Sequence, residues 1–262
     1  MIDIPVQEKR SLITIRNLVK SFDGRVVLKN INLEIYKGET LVLMGGSGSG
    51  KSMLLRIMTG GITPDSGEVH YAGKEMGSMS RDEKDQVKRR FGMSFQHSAL
   101  LDFLTVEENV CLPLIEHTKL DAKIISIIAR MKLNLVGLQG FEHLMPSMLS
   151  GGMKKRVGVA RAIAMDPEIV FYDEPTAGLD PVVCHVIDKL IVDLTKKLNL
   201  TSVVVTHNME SIWRIADRVA MVYLGEIMEI GTPQQIQNSG NKIVQQFING
   251  NIEGPIQLNI VE

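Results

Sequence analysis

A chain of 262 residues, 44% of them hydrophobic, can bury a full core and predicts one domain carrying a smaller lobe. Its 29 basic and 30 acidic side chains leave a formal net charge of -1, which excludes a general attraction to nucleic acid or anionic lipid. Cys111 and Cys184 are the two cysteines, too few for a disulfide framework and suited to a reducing compartment. The opening MIDIPVQEKRS has charges where a secretory signal needs an apolar stretch. No run approaches the roughly 18 apolar residues that cross a bilayer. The expectation is a cytoplasmic protein whose membrane partners, if any, do the spanning.

In chain order, Leu12 to Leu18 and Ile31 to Ile35 alternate apolar with polar residues around Asp23-Gly24, the pattern of an antiparallel pair of half-exposed strands. Leu41 to Met44 is wholly apolar and reads as a buried strand. It runs directly into Gly45-Gly46-Ser47-Gly48-Ser49-Gly50-Lys51-Ser52 and then a helical pattern from Ser52 to Thr59. Arg81 to Arg90 mixes both charge signs and predicts a solvated helix or loop, with no nucleic-acid surface. From about residue 96 to 164 the pattern is mostly helical, with helices expected over Thr105–His117, Ala122–Val136 and Met153–Met165. Thr105 and Glu108 fit a capping box at the start of the first.

Ile169 to Tyr172 and Ser202 to Val205 are further short apolar strands, separated by a helix from Pro181 to Leu198 with Asp180 at its N-cap. Strands alternating with helices specify α/β architecture with a parallel core sheet. From Asn241, the apolar residues Ile243, Val244, Phe247 and Ile248 have helical spacing, and Ile256 to Ile260 alternate. This tail predicts either a contact with a neighbouring subunit or a terminus packed on its own domain. His70, His97, His117, His143 and His185 show no paired metal-ligand spacing, and the fifteen methionines read as core filling.

The G-x-x-x-x-G-K-S run between a strand and a helix is the arrangement that binds polyphosphate. Glycines let the backbone curl its N–H groups inward, and the helix N-terminus adds partial positive charge. Lys51 is positioned to reach the β- and γ-phosphates and Ser52 to ligate magnesium. Alone, the motif specifies only a P-loop nucleotide-binding protein. Asp173 and Glu174 end a strand at the carboxyl edge of the expected sheet, where such folds bind ligands. Asp173 suits the magnesium shell opposite Ser52, and Glu174 suits polarising water for attack on the γ-phosphate. Leu149-Ser150-Gly151-Gly152-Met153 makes a second helix start suited to an anion, far along the chain from the first.

With these motifs in this order, the chain from Ile13 to about Gly231 closely resembles the ATP-binding cassette (ABC) ATPases. The resemblance implies a P-loop core with an antiparallel β subdomain and a helical subdomain near residues 96–164, all within a domain at 1–250. Residues 251–262 form the tail. It implies that Phe22 stacks on adenine, that residues Gly45 to Met53 hold ATP, and that Gln96 contacts magnesium or the attacking water and senses a membrane partner. His207 contacts the γ-phosphate and holds Glu174, so Glu174, His207 and Gln96 form the catalytic set, with magnesium held by Ser52, Gln96 and Asp173. Leu149, Ser150, Gly151, Gly152, Met153 and Asp180, the last in a D-loop-like Ala177 to Asp180, reach ATP bound to the other subunit of a homodimer. Met53 replaces the Thr of many relatives, removing a hydroxyl near the phosphates but keeping the backbone N–H.

Met153-Lys154-Lys155-Arg156-Val157-Gly158, Phe95 to Leu100 and Thr105 to Val110 resemble the ATPase subunits of Mla-type lipid transporters. That resemblance implies ATP and Mg²⁺ as cofactors, integral permease subunits, an MCE-type lipid-binding protein and a small STAS-domain protein as partners, and a place on the cytoplasmic face of the inner membrane. The alternatives are another ABC importer or exporter, a soluble ABC protein acting on DNA or ribosomes, and a module that senses ATP without turnover.

Overall fold

The computed structural model describes residues 10–257. The chain runs β1 (Ser11–Phe22), β2 (Arg25–Tyr36), β3 (Thr40–Met44), α1 (Lys51–Met58), β4 (Ser66–Tyr71), β5 (Lys74–Glu75), α2 (Arg81–Lys88) and β6 (Phe91–Ser94). It continues through α3 (Val106–His117), α4 (Ala122–Leu135), a 3₁₀ turn (Pro146–Met148), α5 (Gly151–Ala162), β7 (Ile169–Asp173), α6 (Pro181–Lys197) and β8 (Thr201–Val205). Last come α7 (Met209–Ile215), β9 (Arg218–Tyr223), β10 (Glu226–Gly231), α8 (Pro233–Gln237) and α9 (Lys242–Asn249).

β1 and β2 form a long antiparallel hairpin closed at Phe22↔Arg25, with Asp23 and Gly24 both at positive φ (46° and 76°), the pair a type I′ turn requires. The strands outrun the alternating segments that predict them. Register shifts near Asn17 absorb the breaks in alternation, and Asn17 takes φ 47° there. With β4 and β5 they make a sheet ordered β2-β1-β4-β5.

The second sheet is ordered β10-β9-β3-β8-β7-β6 among the described residues, parallel except for the antiparallel β9–β10 edge. Its central strands are mostly apolar because both faces are covered, with Thr40, Thr201, Ser202 and Asp173 at their ends. Val42, Met44, Val170, Tyr172 and Val204 face one core, shared with α3 to α6, while Leu41, Leu43, Phe171, Val203 and Val205 face another, shared with α1 and the first sheet. Alternation by strand pleat thus builds two cores from one sheet. Each large apolar side chain fully buried this way contributes about 1.5–3 kcal/mol. Phe91 joins the sheets, meeting Tyr71 and Phe171 edge-on at ring separations of 5.2 and 5.5 Å.

Between β6 and β7, α3, α4 and α5 form a helical lobe with Val110, Leu114, Ile125, Ala129, Leu133 and Val157 in the first core. α3 opens with the expected capping box, and Glu108 accepts from the Thr105 N–H at 2.7 Å. α2 carries no buried residue and is the solvated helix that its mixed charges predict. The tail pattern resolves differently along its length. α9 lies on its own domain, where Val244, Ile243, Phe247, Ile248 and Ile256 pack on the first core. Gln246 donates to the carbonyls of Asn251 and Ile256 and accepts from the Ile256 N–H at 2.6 Å. Of the two expectations for the tail, packing on its own domain is therefore seen for α9, whose residues Ile243, Phe247 and Ile248 stay partly exposed; residues 258–260 of the alternating run lie outside the described residues.

Candidate nucleotide site

The site gathers where β3, β7 and β8 end. β3 delivers the chain into the loop at 45–50, and α1 begins at Lys51. Gly50 has φ 106°, and a Cβ on it would lie 2.7 Å from Leu28 Cδ2 and 3.1 Å from the Val27 carbonyl. Only glycine fits both the rotation and the space. The loop is also held from outside: the Gly225 N–H in the β9–β10 turn donates to the Ser49 carbonyl at 3.1 Å, and the Gly225 carbonyl accepts from Lys29 N–H at 2.8 Å. Lys51 is buried, and its Nζ donates to the carbonyls of Gly45 and Gly46 at 2.8 Å each. Burial lowers the Lys51 pKa, while the carboxylates of Glu174 and Asp173 oppose that shift and favour the charged form. The N-terminus of α1, which no side chain caps, leaves its N–H groups available to an anion.

β7 places Asp173 and Glu174 side by side at its end. Burial and the neighbouring Glu174 charge push the Asp173 carboxyl above its ordinary pKa, and Arg56, Lys51 and a hydrogen bond from Ser52 pull it back. Ser52 and Asp173 thus present a hydroxyl and a carboxylate in contact, a hard oxygen set that suits Mg²⁺, and the two adjacent acids favour a cation there. Glu174 sits at φ 46°, a left-handed conformation that costs a non-glycine residue roughly 1–3 kcal/mol. Its backbone is fixed by donation to the Val205 carbonyl at 2.9 Å, and its carbonyl accepts from Ala177 N–H and from Lys155 Nζ. Its Oε1 lies 2.8 Å from His207 Nδ1. The His207 side chain is 67% exposed, so one edge of the ring is held by Glu174 while the rest faces solvent.

The structure brings Lys51, Ser52, Asp173, Glu174 and His207 together through these contacts. Gln96, in the loop after β6, is exposed, and its carbonyl accepts from Lys155 Nζ at 2.6 Å. Phe22 is 47% exposed at the tip of β1, with Lys20 Nζ over its ring at 5.5 Å from the centre, so it is no core aromatic. Met53 is half-buried and packs on the second core. Ser150 is the N-cap of α5, accepting from Met153 N–H at 3.3 Å; it and Gly151 are exposed, whereas Leu149 and Gly152 are buried. Asp180 is exposed, but its carboxylate accepts from Val182 and Val183 N–H at 3.0 Å, so that side chain is committed to capping α6. Sequence reasoning missed Arg56, Lys155 and Arg161. Each carries a charge on a helix near the site, and only the packing shows which way it points.

A model of the ABC transporter family matches residues 28–177, more than half of the chain. The chain belongs to the ABC transporter family. The cassette is 40% identical over 248 residues, 95% of its own length and 94% of the relative's, to the intermembrane phospholipid transport system ATP-binding protein MlaF of Haemophilus influenzae. It is 42% identical over 94% of its length to the protein trigalactosyldiacylglycerol 3, chloroplastic, of Arabidopsis thaliana, covering 76% of that protein. Among solved structures it resembles the ATP-binding cassette MJ0796, described as a dimer in a post-hydrolysis state bound to ADP and Pi. The TM-score is 0.77 and the identity 33%, over 84% of this chain and 98% of that one. The cassette is therefore an ATP-binding and ATP-hydrolysing subunit of an ABC transporter, with the α/β fold and antiparallel β subdomain of that family.

Proposed function

We infer that this cassette drives phospholipid transport between the inner and outer membranes of a bacterium. The observation that carries the cargo is the 40% identity to the phospholipid-transport protein over 95% of the chain, well beyond the segment matched by the general family model. Two copies close on two ATP molecules. In each site Lys51, the loop N–H groups and the α1 N-terminus hold the β- and γ-phosphates, and Phe22 stacks on the adenine. Ser150, Gly151 and Gly152 of the facing copy, with Leu149 and Met153 beside them and Asp180 nearby, complete the site in trans. The dimeric description of MJ0796 supports this arrangement, as does the exposure of Ser150 and Gly151 at the start of α5.

Ser52, Asp173 and Gln96 would hold Mg²⁺, which when bound would neutralise phosphate charge. Glu174 polarises water toward the γ-phosphate. His207 orients the Glu174 carboxylate through its 2.8 Å contact and reaches the γ-phosphate with its exposed edge. Closure contacts both faces of each ATP, so binding free energy shifts the open–closed equilibrium. The helical lobe conveys that shift to an integral permease. A groove of about 520 Å³ between the lobe and the core, lined by residues including Phe91, Met93, Leu112, Pro113 and Arg161, suits a permease segment. Exposed Phe95, Leu101 and Phe103 lie near Gln96 in sequence and extend the apolar surface of the lobe. No helix among the described residues is long and apolar enough to cross a membrane. In this reading the cassette is held on the cytoplasmic face of the inner membrane by its permease, as the similarity to a transport-system ATP-binding protein supports. An MCE-type lipid-binding protein and a small STAS-domain protein complete the assembly.

Glu174→Gln should lower turnover by about 10² to 10⁴ while leaving ATP binding intact and accumulating a closed, ATP-loaded dimer. Unchanged phosphate release by that variant rejects the role given to Glu174. The cargo is tested by affinity purification of the tagged protein from detergent-solubilised membranes, with chains and lipids identified by mass spectrometry. A permease with an MCE protein and phospholipid supports the reading. A permease with a solute-binding protein overturns the lipid assignment and leaves the transporter ATPase standing.

A further inference from the structure

α5 has two ends with different business. Its first residues, capped by Ser150, are those the dimer reading gives to the ATP of the facing copy. One turn further on, Lys155 points back into its own subunit: it is 7% exposed, and its Nζ donates to the Gln96 carbonyl at 2.6 Å and the Glu174 carbonyl at 3.1 Å. One buried ammonium therefore ties together the loops that carry two of the three catalytic side chains. Burial lowers its pKa, and the nearby charges of Glu174 and Asp173 oppose that shift.

The next turns of α5 hold the same loop. An ideal Cβ on Gly158 would lie 3.4 Å from Ser98 Cβ, so the helix backbone and the loop are in van der Waals contact. Arg161 donates to the carbonyls of Ser98 at 2.6 Å and Ala99 at 2.7 Å. Ser98 and Ala99 are consecutive non-glycine residues at φ 60° and 45°, each costing roughly 1–3 kcal/mol in that region. A loop strained in this way does not keep its shape by local preference; the face of α5 formed by Lys155, Gly158 and Arg161 imposes it. Glu174, at φ 46°, is strained in the same sense and is held by the same lysine.

We propose that Lys155 is a positioning residue that couples the two nucleotide sites of the dimer, linking the helix that meets ATP on the facing copy to Gln96 and Glu174 of its own site. The proposal rests on the dimer reading above. A displacement of α5 when Ser150 engages the opposite nucleotide moves both carbonyls together, so each site is assembled only when the other is filled. The hydrogen bonds of the Lys155 ammonium go to Gln96 and Glu174 and none to Gly45–Ser52, so ATP binding to a single copy is expected to be independent of it.

The test measures ATP turnover of the full-length protein across ATP concentration, with fluorescent-nucleotide binding and ATP-dependent dimerisation by light scattering, for the wild type, Lys155→Met, Lys155→Gln and Lys155→Arg. The wild type should dimerise with ATP and show a Hill coefficient above 1. Lys155→Met should bind nucleotide as the wild type does, lose roughly 10- to 100-fold in kcat and show a Hill coefficient near 1. Lys155→Arg should recover both, and Lys155→Gln, which keeps a donor without the charge, should fall between them. A dimerising wild type whose Met and Gln variants keep full cooperativity overturns the tie. So does a kcat loss with unchanged Hill coefficient that Arg fails to rescue, which is the signature of a merely structural lysine. A wild type that stays monomeric with ATP overturns the dimer reading itself, and the coupling with it.

Discussion

Two glycine-rich helix starts, one at residues 45–50 and the other at 151–152, use glycine for opposite reasons. In the first, Gly45, Gly48 and Gly50 take φ of 148°, 73° and 106°, rotations that other residues rarely adopt, and α1 begins with no side-chain cap. In the second, Gly151 and Gly152 are the first helical residues of α5, neither is at positive φ, and Ser150 caps the helix in the ordinary way. Gly152 is small because α6 is close: a Cβ there would lie 2.6 Å from Val183 Cγ1. The first loop is shaped to wrap an anion by itself. The second is an ordinary helix N-terminus, which needs a ligand presented from outside, and this agrees with its proposed use in trans.

The contrast predicts a graded set of losses. Gly50→Ala should be the most damaging, because backbone strain adds to a clash with Leu28 and the Val27 carbonyl. We expect a stability loss of about 2–4 kcal/mol with loss of nucleotide binding, read by thermal melting and fluorescent ATP titration. Gly152→Ala meets only a valine side chain that can shift, costing about 1–3 kcal/mol. It should bind ATP as a single copy yet fail to dimerise and turn over; loss of binding in that variant would remove the distinction between the two glycine starts. Ser150→Ala should cost about 1 kcal/mol through the lost cap, with Ser150→Gly milder. Smallest is Met53→Thr, which trades packing on the second core for a hydroxyl beside the loop: about 1 kcal/mol in stability, and less change in turnover than either glycine variant.

How far the site was legible follows from how it is made. The phosphate loop is contiguous, so its residues, the preceding apolar strand and the following helix could be read together. Asp173 and Glu174 were legible because an apolar strand must end at the sheet's carboxyl edge. His207 was identifiable only by resemblance, since a lone histidine after a strand has no local signature, and its 2.8 Å contact with Glu174 joins residues 33 apart in sequence. The hairpin of β9 and β10 was not anticipated. β9 carries a fully buried apolar run at Val219, Ala220, Met221 and Val222 and β10 is half-buried, and the support that the hairpin gives the phosphate loop through Gly225 depends on β9 lying beside β3. The tail showed the reverse: its helical spacing was correctly periodic, but periodicity says only that one face is apolar, and that face packs on the core of the same domain.

Sequence alone determined the local chemistry of this cassette: which turns favour glycine, where strands stop and helices start, and which residue types stand where phosphate, metal and water are proposed to bind. These are set by backbone sterics and side-chain chemistry acting over a few neighbouring residues. The tertiary structure decided which charges meet. Strand order placed β7 beside β8 and so Glu174 beside His207, and the packing of α5 under the Gln96 loop turned Lys155 from one more helical lysine into a tie between the Gln96 and Glu174 carbonyls. Such contacts depend on directions fixed only when distant elements bury their apolar faces together, and no short stretch of sequence encodes them.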